Sequence, residues 1–221
     1  MVTKILVSED IDSISLGVVT LLHQNFSADV STAKYCDDAL LKVKRAVYEN
    51  KYFDLLITDL SFKADYREAK ITSGEDLIKA VRKEQPDLKI IVYSIDDKPY
   101  KIKSLFEEQS INAFVSKGRE SAIELIEAID TVTAGGTYMS PQLSHISRDI
   151  VTLEIDEHDV LLLRYLSQGL TQPEISILLK NSGKTSSSTS SIEKRINKLK
   201  IYFRAQNTIH LISIVKDLGL I

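Results

Sequence analysis

Five residues of this chain carry chemistry that would work together, and each stands where a short apolar run stops. Glu9 and Asp10 come just after Ile5-Leu6-Val7, Asp59 follows Leu55-Leu56-Ile57-Thr58, Ser94 follows Ile90-Ile91-Val92-Tyr93, and Lys117 follows Ala113-Phe114-Val115-Ser116. Runs this short and this branched suit parallel strands covered on both faces. In an open parallel sheet the carboxyl ends of the strands converge, and ligands bind there. Three carboxylates in one pocket repel one another and raise their pKa values unless a cation neutralises them. Hard oxygen donors suit Mg2+, which takes a few carboxylates together with phosphate oxygens and water. The Ser94 hydroxyl and the Lys117 ammonium would then hold the oxygens of a phosphoryl group carried by Asp59. Taken singly, acids at strand ends are often caps or solvated, and a lone serine or lysine means nothing. The signal is their order at successive strand ends.

The elements that must position these groups are legible over residues 1–134. Strands are expected at Ile5–Val7, Val30–Ala33, Leu55–Thr58, Leu88–Ser94 and Ala113–Ser116. Asp12 or Ser13 would cap a helix carrying Ile14, Leu16, Val18, Val19, Leu21 and Leu22, and Asp37 would cap one carrying Ala39, Leu40, Val43 and Val47. A third helix follows Ser73-Gly74 and must stop near Pro86. A fourth covers about Pro99–Glu108, and a fifth covers Glu120–Thr133 with Ile123, Ile126 and Ile129 toward the core. Five strands alternating with five helices predict an α/β fold with a doubly wound five-stranded parallel sheet. Between Ser61 and Thr72 the chain is charged and without apolar periodicity, which predicts a long surface loop beside Asp59.

Residues 135–154 read as a linker, and residues 155–221 switch to helical periodicity alone. Asp156 with Asp159 forms a capping pair ahead of Leu162, Leu163 and Leu166, and Gly169 ends that helix. Thr171 caps a second helix with Pro173 in its first turn and Ile175, Leu178 and Leu179 on its apolar face. After a serine-rich segment, Ser182–Ser191, a third helix places Ile192, Ile196, Leu199 and Phe203 on one side, with Lys194, Arg195, Asn197, Lys198 and Lys200 on the others. A last helix runs from Thr208 to about Leu218. Two helices joined by a short connection and followed by a basic amphipathic helix describe a helix-turn-helix module.

Charge divides along the same line. Residues 155–221 carry a net +3 and residues 1–154 a net −6, so a polyanion is the expected partner of the C-terminal part alone. Cys36 is the single cysteine, so no disulfide forms within the chain, and a reducing cytoplasmic setting fits. One cysteine and four scattered histidines argue against a structural zinc site. Glu9 and Asp10 come too early for a signal peptide, and no apolar run is long enough to span a bilayer, so no membrane association is expected.

Residues 1–134 resemble the receiver domain of two-component response regulators. The matching residues are Glu9-Asp10 after Ile5-Leu6-Val7, Asp59 in Ile57-Thr58-Asp59-Leu60-Ser61, Ser94, and Lys117 after Phe114-Val115-Ser116. The resemblance implies that Asp59 is the phosphorylation site and that Glu9, Asp10, Asp59 and the main-chain carbonyl of Ser61 bind Mg2+. It makes Ser94 and Lys117 the phosphoryl-contacting pair and Phe114 the aromatic switch residue. Residues 155–221 resemble the DNA-binding domain of the NarL/LuxR family, through Asp159–Leu163, Gly169–Ser176 and the Ile192, Ile196, Leu199, Phe203 and Asn207 pattern. The exit Gly135–Pro141 is similar to that family's, and Ile57–Ser61 with the lengthened loop after it is similar to the RcsB-like members. Two features depart from the family: the Met-Pro after the acceptor strand is missing, and the second and third DNA-binding helices are joined by a longer connection. The resemblance implies a sensor histidine kinase, double-stranded DNA and a second copy of the chain as partners. Glu193, Lys194 and Asn197 are then the base-reading candidates, and Lys198, Lys200 and Arg204 the phosphate-contacting ones.

This reading makes the chain a switch rather than an enzyme. An enzyme reading is a haloacid-dehalogenase-like phosphatase using Asp10 of Asp10-Ile11-Asp12 as nucleophile, which leaves Asp59 without a role and lacks the further acidic pair that family needs. A third reading is a regulator that works without phosphorylation.

Overall fold

The computed structural model describes residues 2–63, 66, 68–143, 155–181 and 188–221. Among them the chain forms two compact units, the first of residues 2–97 and 102–143, the second of residues 155–181 and 188–221 together with 98–101. The first unit alternates β1 (Lys4–Ser8), α1 (Asp12–Asn25), β2 (Asp29–Ala33), α2 (Cys36–Tyr48), β3 (Leu55–Thr58), α3 (Gly74–Glu84), β4 (Lys89–Ser94), α4 (Pro99–Glu107), β5 (Ala113–Ser116) and α5 (Ser121–Thr133), then adds β6 (Tyr138–Met139) and a 3-10 turn (Pro141–Leu143). The sheet order is β2-β1-β3-β4-β5-β6, and every pairing is parallel.

The central strands are buried on both faces, which is why they read as unbroken apolar runs rather than alternating ones. On one face Ile5, Val7, Leu55, Ile57, Ile91 and Val115 form a core with Val18 and Leu22 of α1 and Leu125, Ala128, Ile129 and Val132 of α5. Their neighbours in sequence, Leu6, Leu56, Ile90, Val92 and Phe114, are equally buried and point to the opposite face by strand alternation. Each such side chain removed from water contributes about 1.5–3 kcal/mol before chain entropy is counted. Because β1 pairs with β2 on one side and β3 on the other, the strand order reverses between β1 and β3. The crevice beyond their carboxyl ends is the binding position of such sheets.

Several local expectations change. The sheet has six strands, not five, because Tyr138–Met139 pairs with β5, so the stretch read as a linker from 135 begins inside this unit; Leu143 is buried as well, and residues 144–154 lie outside the described residues. α1 starts at Asp12 with Ile11 as its N-cap, and α2 starts at Cys36 with Tyr35 as its N-cap, neither with a capping side-chain bond. Asp12 and Asp37 instead lie in the first turns, where their charge complements the helix dipole. On α5 the inward face is Ser121, Glu124, Leu125, Ala128, Ile129 and Val132, and Ile123 is 62% exposed. The Ile123-Ile126-Ile129 spacing of three drifts round the helix, and the stripe containing Leu125 and Ala128 wins.

The second unit, described by itself, has α6 (Glu157–Ser167), α7 (Gln172–Asn181), α8 (Thr189–Tyr202) and α9 (Thr208–Asp217). Asp156 caps α6 and closes a capping box with Asp159, at 2.8 and 3.2 Å. Gly169 follows with φ +85°, the left-handed stop that glycine takes without strain. Leu162, Leu163, Ile175, Leu179, Ile192, Ile196, Leu199, Leu211 and Val215 form the core. Leu178, expected inward on α7, is 39% exposed, and Ser176 is buried instead. Of the serine-rich segment, residues 182–187 lie outside the described residues, and Ser188 caps α8. No described helix is long and apolar enough to cross a membrane.

Candidate functional site

Asp59 is the first residue beyond β3, and its backbone N–H donates to the Ser8 carbonyl at 3.0 Å, which locks the ends of β3 and β1 together. The side chain is buried. Its Oδ1 accepts the Leu60 N–H at 2.6 Å, the Ser61 N–H at 3.3 Å and the Ser94 hydroxyl at 2.6 Å. Its Oδ2 accepts the Lys117 ammonium at 2.6 Å, and the same ammonium donates to Glu9 Oε2 at 2.7 Å. The Lys117 N–H reaches the Ser94 carbonyl at 2.9 Å, so β4 and β5 deliver their two groups to the same spot. Glu9 Oε1 is held by the Ile11 N–H at 3.1 Å. Glu9, Asp59, Ser94 and Lys117 therefore form one hydrogen-bonded cluster, as their places at the strand ends required.

The electrostatics follow from this crowding. Burial pushes the Glu9 carboxyl above its ordinary range, against the pull of the Lys117 ammonium. Burial works against the Lys117 charge, but its bonds to Asp59 and Glu9 outweigh that and raise its pKa, so the ammonium persists. Glu9, Asp10 and Asp59 each offer a carboxylate oxygen, all within 4.8 Å of one another. Asp10 is half-buried, and its Oδ2 accepts the Lys63 N–H at 2.9 Å. Three carboxylates against one ammonium leave the pocket short of positive charge. Their all-oxygen donor set fits a hard divalent cation such as Mg2+.

Phe114 lies in the middle of β5 and is fully buried. Ser61 forms an isolated antiparallel bridge with Ser73, which closes the base of the loop after Asp59; Ala64, Asp65 and Arg67 in that loop lie outside the described residues. The structure adds a residue whose role here spacing did not reveal. Gly74 opens α3 against the backbone just beyond β3, its N–H donating to the Leu60 carbonyl at 2.9 Å. A Cβ at this position would lie 1.9 Å from the Asp59 carbonyl oxygen. The signal was present as a glycine directly after a helix-capping serine, where a helix has no need of one. Asp12, the second acid of Asp10-Ile11-Asp12, is exposed and paired with Lys34 at 2.8 Å.

In the second unit, Glu193, Lys194, Asn197, Lys198 and Arg204 are exposed and Lys200 is half-buried. Glu193, Lys194, Asn197 and Lys198 share the outer face of α8, opposite the buried Ile192, Ile196 and Leu199. Arg204 follows the helix with φ +51°. Arg195 belongs to neither group. It forms a bidentate bond to the fully buried Asp159 and lies 3.6 Å from Asp156, tying α8 to the start of α6. Asp156, His158 and Asp159 also bring ligand atoms together, but cap and arginine already engage both acids.

No family model and no curated protein sequence matches this chain. Among solved structures, one of two RcsB dimers bound to two parallel DNAs is 21% identical with a TM-score of 0.67, covering 99% of this chain and 100% of that one. RcsB from Salmonella enterica serovar Typhimurium, bound to promoter P1flhDC in the presence of the phosphomimetic BeF3−, is 20% identical with a TM-score of 0.66 over 99% and 100% of the two chains. A LuxR-family two-component response regulator from Aurantimonas sp. SI85-9A1 is 19% identical with a TM-score of 0.57 over 69% and 100%. At these identities the likeness is one of fold: a parallel α/β unit followed by a helical unit.

Proposed function

We propose that this chain is a DNA-binding response regulator of the NarL/LuxR type, with residues 1–134 as the receiver, residues 155–221 as the DNA-binding domain, and Asp59 as the phosphoacceptor. The observation that carries this is the buried Asp59 carboxylate with the Ser94 hydroxyl on one oxygen and the Lys117 ammonium on the other. A buried carboxylate held only for stability has no need of a hydroxyl and an ammonium from two separate strand ends. A sensor histidine kinase supplies the phosphoryl group. An Asp59 oxygen attacks phosphorus, the bond to the donor nitrogen breaks, and an acyl phosphate remains on Asp59. Glu9, Asp10, Asp59 and the Ser61 carbonyl would hold Mg2+, which supplies charge neutralisation for the incoming phosphoryl oxygens.

The acyl phosphate adds a dianion that draws the Ser94 hydroxyl and the Lys117 ammonium to its own oxygens. Both groups leave Asp59, so the ends of β4 and β5 shift, and Phe114 on β5 is the side chain that reports the change. The outcome is altered dimerisation or altered DNA binding by the helical unit. Two copies read two half-sites; the RcsB chains whose fold this chain shares are dimers bound to DNA. The outer face of α8, with Glu193, Lys194 and Asn197, enters the major groove, and Lys198, Lys200 and Arg204 hold phosphates. On this reading the chain is a transcription factor rather than an enzyme, and it works in the cytoplasm.

The test is chemical. Incubated with a small acyl-phosphate donor and Mg2+, the wild-type chain becomes labelled on Asp59, and Asp59→Asn does not. Equal labelling of the variant removes Asp59 from its role. Turnover of a generic phosphomonoester that is lost in Asp10→Asn supports the phosphatase alternative instead.

A further inference from the structure

Tyr93 stands immediately before Ser94 on β4, in register with Val115 of β5. Tyr93 and Val115 share the sheet face covered by α1 and α5, and Lys117, two residues beyond Val115, follows on the same side. The Lys117 ammonium lies 5.3 Å from the centroid of the Tyr93 ring, inside the range in which an aromatic face attracts a cation. The Tyr93 hydroxyl is 2.9 Å from Ser121 Oγ, and the Ser121 hydroxyl in turn donates to the Gly118 carbonyl at 2.9 Å. With its one proton given to Gly118, Ser121 accepts from Tyr93. The ring thus walls one side of the ammonium, while the hydroxyl chain ties β4 to the turn that carries Lys117 into α5.

We propose that Tyr93 is a positioning residue for Lys117, holding the ammonium over Asp59 through its ring and the 117–121 turn through its hydroxyl. A lysine side chain has four flexible carbons and gains hydration by turning outward. Lys117 is nevertheless kept 9% exposed between Glu9 and Asp59. The two carboxylates attract it from one side, and the Tyr93 ring lies against it with a face that itself attracts charge. A leucine here would keep an apolar side chain at the strand position but offer neither a face that attracts a cation nor a hydroxyl for Ser121. This inference rests on the reading of Asp59 as a phosphoacceptor.

The experiment labels full-length protein with acetyl phosphate and Mg2+, at a temperature where circular dichroism shows each variant folded. Tyr93→Leu is expected to label Asp59 about tenfold more slowly, the loss of a desolvated cation–ring contact. Tyr93→Phe keeps the ring, and Ser121→Ala keeps both ring and hydroxyl, so each is expected to slow labelling only about twofold. Because these two remove the same link, the double variant is expected to be no slower than either alone. A merely structural role would lower the melting temperature and leave these rates alone. Wild-type labelling by Tyr93→Leu overturns the assignment, as does Tyr93→Phe as slow as Tyr93→Leu. If Tyr93→Leu does not fold, the cycle decides, and additive effects of Tyr93→Phe and Ser121→Ala overturn it. A wild-type chain that takes no label at Asp59 overturns the phosphoacceptor reading itself, a result distinguishable from all of these.

Discussion

Asp54 and Asp59 bracket β3 and do opposite jobs with the same functional group. Asp54 Oδ2 accepts the Thr3 N–H at 2.7 Å, the Thr3 hydroxyl at 2.8 Å and the Lys4 N–H at 2.9 Å, stitching the start of β3 to the start of β1. Burial opposes its charge, but these bonds outweigh burial and hold its pKa below the usual aspartate value. The unfolded chain therefore takes up the proton more readily than the folded one. The stabilisation is fully present above the ordinary aspartate pKa of about 3.9 and is lost as pH falls through the lowered folded value. Asp54→Ala is expected to cost the first unit about 1–2 kcal/mol at pH 7, with the gap to wild type closing below about pH 4. Urea titrations of both chains across that range check it, and a gap independent of pH would mean the carboxylate charge plays no part. Arg195 makes the same point from the other sign. Helical spacing placed it among the polar faces with Lys194 and Lys198, but the buried Asp159 claims it. A buried carboxylate without its partner costs several kcal/mol, so the pair outweighs any use of that guanidinium at the surface.

At the scale of elements, the junction of β3 and α3 decides whether Asp59 is held still. The loop between them is long, yet the Ser61–Ser73 bridge and the Gly74 N–H on Leu60 bring its ends together right beside Asp59. The loop touches the site through the Lys63 N–H on Asp10, while its closure is settled at its base. Gly74→Ala places a methyl group 1.9 Å from the Asp59 carbonyl oxygen, and backbone on backbone has no rotamer to yield. The expected cost is about 3 kcal/mol or more, together with loss of Asp59 labelling. Denaturant unfolding and labelling with acetyl phosphate check both, and an undisturbed variant would mean α3 shifts freely. The strands, and the helices with strong apolar periodicity, were legible beforehand because burial on both faces or on one stripe leaves a direct mark on composition. The starts of α1 and α2 and the inward face of α5 were not. Capping depends on the angle at which the chain leaves a strand, and the inward face depends on which stripe meets the sheet.

For the molecule as a whole, charge is the property that separates the two units. A net charge of −3 would repel DNA if it were spread evenly, but residues 155–221 carry +3 against −6 elsewhere. If the outer face of α8 meets phosphates, binding weakens steeply as salt rises, because each neutralised phosphate releases a counterion. Lys198→Ala is expected to weaken binding of the full chain to a selected duplex and to reduce the slope of log affinity against log salt by about one. Affinity measured across a salt series checks this. An unchanged slope would place Lys198 away from the backbone and leave it a solvated face residue.

What the sequence determined by itself was the alternation of elements and the arrival of Glu9, Asp10, Asp59, Ser94 and Lys117 at strand ends. Those depend on local pattern, and parallel topology then brings the ends together whatever lies between. The tertiary structure alone decided which oxygen of Asp59 meets which partner, that Tyr138–Met139 extends the sheet, that Gly74 closes on the backbone of Asp59 and Leu60, and that Arg195 turns inward. Each of these is a contact between residues far apart in the chain. Its energy depends on distances that no spacing along the sequence encodes.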